Sequence, residues 1–176
     1  SAVTLSSSLT FLSCNFSSSV ASSSSSSCSP GGSSAAGGAV FVSVGSADVA
    51  ISSSVISGSQ VQTRCAAPSS QTHSLGGGVS IFRAGDVVLN ATNVSFCRAS
   101  GVRQANNVLV GGGGIFVKDA ESVTLQSSFV SACSVEDAFP VRVLPCGGGA
   151  IGITNVPAVQ ISSSKVYNNS DSSLSG

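Results

Sequence analysis

Apolar positions along the chain fall in short alternating runs broken by Gly and Ser, and the runs recur. The blocks Gly37-Gly38-Ala39-Val40-Phe41-Val42, Gly76-Gly77-Gly78-Val79-Ser80-Ile81, Gly112-Gly113-Gly114-Ile115-Phe116-Val117 and Gly148-Gly149-Ala150-Ile151-Gly152-Ile153 start 39, 36 and 36 residues apart (76−37, 112−76, 148−112). Their fourth and sixth positions are always Val or Ile, whereas the fifth varies among Phe, Ser and Gly. That is a strand of period two with one fixed face. A second signature follows each block: Leu9, Phe11 and Phe16; Val49, Ile51 and Ile56; Val87, Leu89 and Val94; Val123, Leu125 and Val130; Val159, Ile161 and Val166. Its middle members are 40, 38, 36 and 36 apart (51−11, 89−51, 125−89, 161−125), so an independent set of residues reports the same period. Three residues after each middle member stands a small residue, Cys14, Ser54, Thr92, Ser128 or Ser164, which predicts a hydroxyl-rich ladder at a corner of the coil.

Each repeat therefore offers three short strands, none long enough to stand alone. Winding the chain and stacking coil on coil buries all three inward rows together. The expected fold is all-β, a parallel β-helix of about five coils of roughly 36–40 residues with three short strands each, forming one domain over residues 1–176. A β-sandwich is the competing arrangement for short strands rich in turn residues, but it gives no reason for a period of 36. Between the third strand and the next glycine block, variable stretches (Val20 to Ala36, Gln60 to Leu75, Ala99 to Val110, Glu136 to Cys146, Asn169 to Gly176) read as loops on one lateral face. They carry Pro30, Pro68, Pro140, Pro145, the Ser22 to Ser27 run and His73.

The chain is 41% hydrophobic and only 8% charged, with seven Lys+Arg against seven Asp+Glu. That balance supplies no basic field for nucleic acid. No apolar run approaches the ~18 residues of a helical membrane span, so no membrane insertion is expected. The glycines are read as corner residues, since GxxxxGK[ST] is missing from the sequence and phosphate cradling has no support. No cofactor is expected.

Six cysteines, without a CxxC pair and with one His in the chain, fit disulfides in an oxidising compartment better than metal. The favoured pairing is Cys14 with Cys28, Cys65 with Cys97 and Cys133 with Cys146. Its rival joins Cys97 to Cys133, which share a column one coil apart. Sequons at Asn15, Asn90, Asn93 and Asn168 add covalent N-linked glycans to the expectation, with Asn15 and Asn93 outward in one column. The Ser-rich flank is a candidate for O-linked sugar.

GGAV, GGGV, GGGI and GGAI, each followed by an apolar-x-x-Asn/Cys/Ser unit (Phe16 to Ser19, Val94 to Cys97, Val130 to Cys133, Val166 to Asn169), resemble the GGA[ILV] and FxxN repeats of the polymorphic outer-membrane protein family and similar pectin-lyase-like right-handed β-helices. The resemblance spans nearly the whole chain and implies right-handed winding and a structural or adhesive surface role. Glycosylation sites and Ser-rich loops give it the character of an extracellular, wall or surface glycoprotein.

Three activities compete with that role. Polysaccharide lyases and hydrolases use the same fold, and glycoside hydrolysis needs two carboxylates at a set separation. Here Asp48 and Asp86 share one position in successive coils and read as turn caps, Arg83, Lys118 and Asp119 are scattered across coils, and Glu136 and Asp137 lack a basic partner in register. The expectation is no catalytic site and no metal site. An adhesin that binds extracellular polysaccharide is the first alternative, ahead of the lyase or hydrolase. Flat-surface or ice binding through the Ser54, Thr92, Ser128 and Ser164 column is the third. Finally, the chain opens on a strand without its glycine lead and stops at Ser175-Gly176, where another block would begin. It is expected to be a segment of a longer solenoid, or a unit that associates end to end into a fibre.

Overall fold

The computed structural model describes residues 8–25, 33–65, 71–103, 107–137 and 148–173. Among them every regular element is a strand, and all strand pairs are parallel and in register from coil to coil. The chain winds into a right-handed parallel β-helix. Five sheets run along the helix axis. The lead sheet, named for the glycine block that precedes each strand, holds Val40–Ser43, Val79–Phe82, Ile115–Lys118 and Ile151–Thr154. The core sheet holds Leu9–Leu12, Val49–Ser52, Asp86–Asn90, Ser122–Gln126 and Ala158–Ser162, and the short sheet holds Asn15–Ser17, Val55–Ser57, Asn93–Ser95, Phe129–Ser131 and Lys165–Tyr167. A fourth sheet contains Val20–Ser25, Gln60–Cys65, Arg98–Arg103, Ser134–Asp137 and Ser170–Ser173, and a fifth contains Ser33–Ala36, Gln71–Leu75 and Asn107–Gly111.

The repeat length is thus the circumference of a coil. Phe11, Ile51, Leu89, Leu125 and Ile161 form one vertical file. Beside it run files of Val40, Val79, Ile115 and Ile151 and of Phe16, Ile56, Val94, Val130 and Val166. These files make one continuous apolar core.

Two expectations need correction. Coils have five strands rather than three: the supposed variable loops contain the fourth and fifth sheets, and Ser22 to Ser25 of the serine run pair with Gln62, Thr63, Arg64 and Cys65. The four prolines of these stretches lie outside the described residues. The coil count is also smaller when closed circuits are counted. Four lead strands bound three full turns, and partial coils flank them.

Corners are made largely without glycine. Left-handed backbone recurs in columns: Ser13, Ser53, Ala91, Ser127 and Ser163 between the core and short strands, then Ser18, Phe96, Ala132 and Asn168, with Gly58, between the short and fourth strands. Such a residue costs roughly 1–2 kcal/mol when it carries a Cβ. The geometry persists because each corner amide still donates to the next coil, as Ser53 does to Asn90 (2.9 Å) and Ala91 to Gln126 (2.9 Å).

Candidate functional site

The glycine blocks divide each coil into two lobes. The first glycine takes φ of 62°, 63° and 59° at Gly37, Gly76 and Gly112. The second packs against backbone: a Cβ on Gly77 would lie 2.2 Å from the Gly113 carbonyl and 2.5 Å from the Arg98 backbone, and one on Gly113 would lie 2.4 Å from the Ser134 carbonyl. The end of the fifth strand therefore touches the start of the fourth, forming a waist. On one side the lead, core and short sheets enclose the main core. On the other, the fourth and fifth sheets enclose a small lobe in which Thr63 and Ser74 hydroxyls bond at 2.5 Å and Ser74 donates to the Ser100 carbonyl at 2.7 Å.

The hydroxyl column sits inside a corner of the main lobe. Ser54, Thr92 and Ser128 are each about 1% exposed. Each oxygen serves the preceding coil: the Cys14, Thr92 and Ser128 amides donate to Ser54 Oγ (3.1 Å), Ser128 Oγ (3.1 Å) and Ser164 Oγ (3.0 Å). Thr92 and Ser128 donate in turn to the Ile51 and Leu89 carbonyls (3.0 and 3.1 Å). Hydroxyls bound in this way are not presented to an ice surface, so this column gives that alternative no footing.

The carboxylates are similarly engaged. Asp48 Oδ1 accepts the Asp86 amide at 2.9 Å, Asp86 Oδ1 accepts the Ser122 hydroxyl at 2.6 Å, and Asp119 Oδ1 accepts Asn155 Nδ2 at 2.9 Å. Each caps a strand start or corner one coil away. In register Glu136 lies opposite Ser100 and Ser172, as expected, but Arg98, two positions off in the preceding coil of the fourth sheet, makes an exposed ion pair with it. A pair of that kind contributes little to stability.

Arg83 and Lys118, scattered in sequence, are brought together. The Arg83 amide donates to the Lys118 carbonyl at 3.0 Å, and both side chains line a groove of about 600 Å³ with His73, Phe41 and Phe82. His73 belongs to a strand rather than a loop. Burial, and then the Lys118 charge, hold its pKa below the usual 6.5. The aromatic wall follows from the variable fifth position of the glycine blocks. Outward along the lead sheet, Phe41, Ser80, Phe116 and Gly152 alternate large and small. A Cβ on Gly152 would meet the Phe116 ring at 2.9 Å. Phe82 leans over Ser80 and touches both other rings, with centroids 5.8 and 5.7 Å from Phe41 and Phe116. Phe41 is 57% exposed. The groove therefore joins an aromatic platform to two cationic side chains, and no carboxylate lines it among the described residues. The signal available in sequence was the period itself, which puts Lys118 one coil above Phe82, next to Arg83.

Cys14, Cys97 and Cys133 are free thiols in the structure, while Cys28 and Cys146 lie outside the described residues. The expected Cys65–Cys97 bond is incompatible with the register. Gln60 pairs with Arg98, and Cys65 with Arg103, so Cys97 lies six residues along the strand direction from the level of Cys65, roughly 20 Å. A disulfide needs Cα atoms within about 7 Å. Of the sequon asparagines, Asn15, Asn93 and Asn168 are exposed and Asn90 is half-buried. Asn15 and Asn93 both pair with Val55, from opposite sides, in one outward column.

The last coil exposes what inner coils bury. Val159, Ile161 and Val166 are 49%, 52% and 45% exposed, whereas their in-register partners Val123, Leu125 and Val130 are at most 1% exposed. No helix among the described residues is long and apolar enough to cross a membrane. Comparison with known proteins returns no match: no family model, no curated protein and no solved structure.

Proposed function

We propose that the protein is a non-enzymatic structural element of an extracellular fibre or surface, disulfide-linked and N-glycosylated, that associates end to end. The observation that carries this reading is the stacking of like apolar residues in register from coil to coil. Val159, Ile161 and Val166 continue the files in which Leu9, Phe11 and Phe16 form the first rung. A second copy set on that rung repeats the contact made between inner coils. This contact is head to tail and does not close on itself, the geometry of a filament rather than a ring. The carboxylates spent on strand starts also favour a non-catalytic role. Sedimentation and electron microscopy of the purified chain are expected to show rods that lengthen with concentration, and Ile161→Lys is expected to arrest them as monomers. Wild-type chain that stays monomeric at all concentrations overturns the reading.

A second reading, adhesion to extracellular polysaccharide, is favoured by the groove. A pyranose stacks on Phe41 and Phe82 while Arg83 and Lys118 take an acidic substituent.

A further inference from the structure

Cys97 and Cys133 occupy one position in successive coils, each three residues after an inward valine whose partner is the other valine, Val94 with Val130. The Ser134 amide donates to the Cys97 carbonyl at 2.8 Å, which fixes the two residues one rung apart. Stacked in-register residues have Cα atoms about 4.8 Å apart, inside the range a disulfide spans. Both side chains are about 1% exposed and belong to the main core. Their sulfurs are oriented alike, toward the carbonyls of Ser95 (3.3 Å) and Ser131 (3.4 Å). Each thiol perturbs the other: that of Cys133, and then burial, raises the pKa of Cys97, and that of Cys97 lowers the pKa of Cys133.

The repeats make room for this pair. A Cβ on Gly78 would stand 3.0 Å from the Cys97 sulfur, and one on Gly114 would stand 3.0 Å from that of Cys133. Where the same column carries Ser59 or Asn169, the third block position is Ala39 or Ala150. Asn169 shows what the column otherwise does: it accepts the Cys133 amide at 2.9 Å and donates to the Val130 carbonyl at 3.1 Å. The sulfurs reach the corresponding carbonyls, Ile56 and Val94, only at 3.9 and 3.8 Å. As thiols they are weak substitutes for the amide.

We propose that Cys97 and Cys133 form a disulfide that staples one coil to the next through the middle of the core. The bond forms as the second coil is laid down, before burial. The thiolate of one cysteine attacks one sulfur of an external disulfide, that of an oxidised dithiol oxidoreductase, and the second sulfur leaves as a thiolate. The thiolate of the other cysteine then displaces the oxidant from the mixed disulfide, so the protein pair loses two protons and two electrons and the oxidant ends as a dithiol. Once buried, the bond meets reductant only when the coils open.

The test is a non-reducing peptide map. Chain refolded with a protein disulfide oxidoreductase and glutathione buffer is unfolded without reductant, alkylated and cut after Lys and Arg. The expected product is segment 84–98 joined to segment 119–142, two hydrogens lighter than their sum, with neither cysteine alkylated. Reduction of the unfolded sample is expected to release both. Wild-type chain refolded with its cysteines reduced and blocked by methylthiolation, and the Cys97→Ser/Cys133→Ser double variant, are each expected to melt roughly 10 °C lower. Alkylation of either thiol before reduction, or linkage of 84–98 to the segment containing Cys65 or of 119–142 to that containing Cys146, overturns the proposal. The map is read on wild-type chain, so a variant that fails to fold leaves the result intact.

Discussion

The main lobe and the small lobe lie on one backbone and share one register, yet they are held together differently. In the main lobe, Ile51, Leu89 and Leu125 stack directly above one another with no measurable exposure. Stability there scales with apolar area removed from water. In the small lobe, the buried apolar residues described on the fourth sheet are Val61, Ala99 and Val135, and the space toward the fifth sheet holds the hydroxyls of Thr63 and Ser74. Shape is specified there by directed bonds between small groups, each with a modest net contribution. The waist glycines allow the two regimes to coexist, since backbone meets backbone and neither filling extends into the other.

Mutations at matched depth sharpen the contrast. Leu89→Ala is expected to cost about 4 kcal/mol in equilibrium denaturant unfolding, because the file above and below holds the cavity open. Thr63→Val, equally buried, is expected to cost about 1 kcal/mol, since it removes one bond to Ser74 while that serine keeps its donation to Ser100. Equal losses at the two positions would abolish the distinction. The smallest effect belongs to His73, on the outer side of the small lobe. Its folded pKa lies below 6.5, so the unfolded chain takes up the proton first as pH falls. Stability is therefore retained above pH 6.5, declines as pH drops below it, and levels off once the folded chain is protonated as well. Thermal melts of wild type and His73→Gln at pH 7.5 and 5 are expected to diverge only at the lower pH.

The same contrast explains what could be read from the chain alone. Files of Val, Ile and Leu at constant spacing announce themselves by type and period, so the coil, its register and the ladder at Ser54 and Thr92 were all legible. Gln60–Cys65 and Gln71–Leu75 contain mostly polar and small residues, and a strand stabilised by pairing above and below need not alternate in hydropathy. Those segments were read as loops for that reason, and the groove that depends on the fifth strand went with them. The Arg98–Glu136 pair was hidden likewise, by a diagonal offset between strands not yet recognised. Cys65 was matched to Cys97 as the remainder of the favoured pairing, a criterion that register overrides.

Constant spacing has a further consequence. From the first apolar position of each core-sheet strand to the short file is seven residues in every coil, Leu9 to Phe16 through Val159 to Val166, and from there to the inward row of the fourth sheet is five, as in Ile56 to Val61 and Val130 to Val135. All the slack lies later, where Val61 to Val79 takes 18 residues and Val135 to Ile151 takes 16. The first arc behaves as the toothed part of a gear and the remainder as its free rim. Foreign segments spliced into the rim leave the teeth in mesh, so the sequence between the fourth and fifth strands is where an insertion disturbs the coil register least.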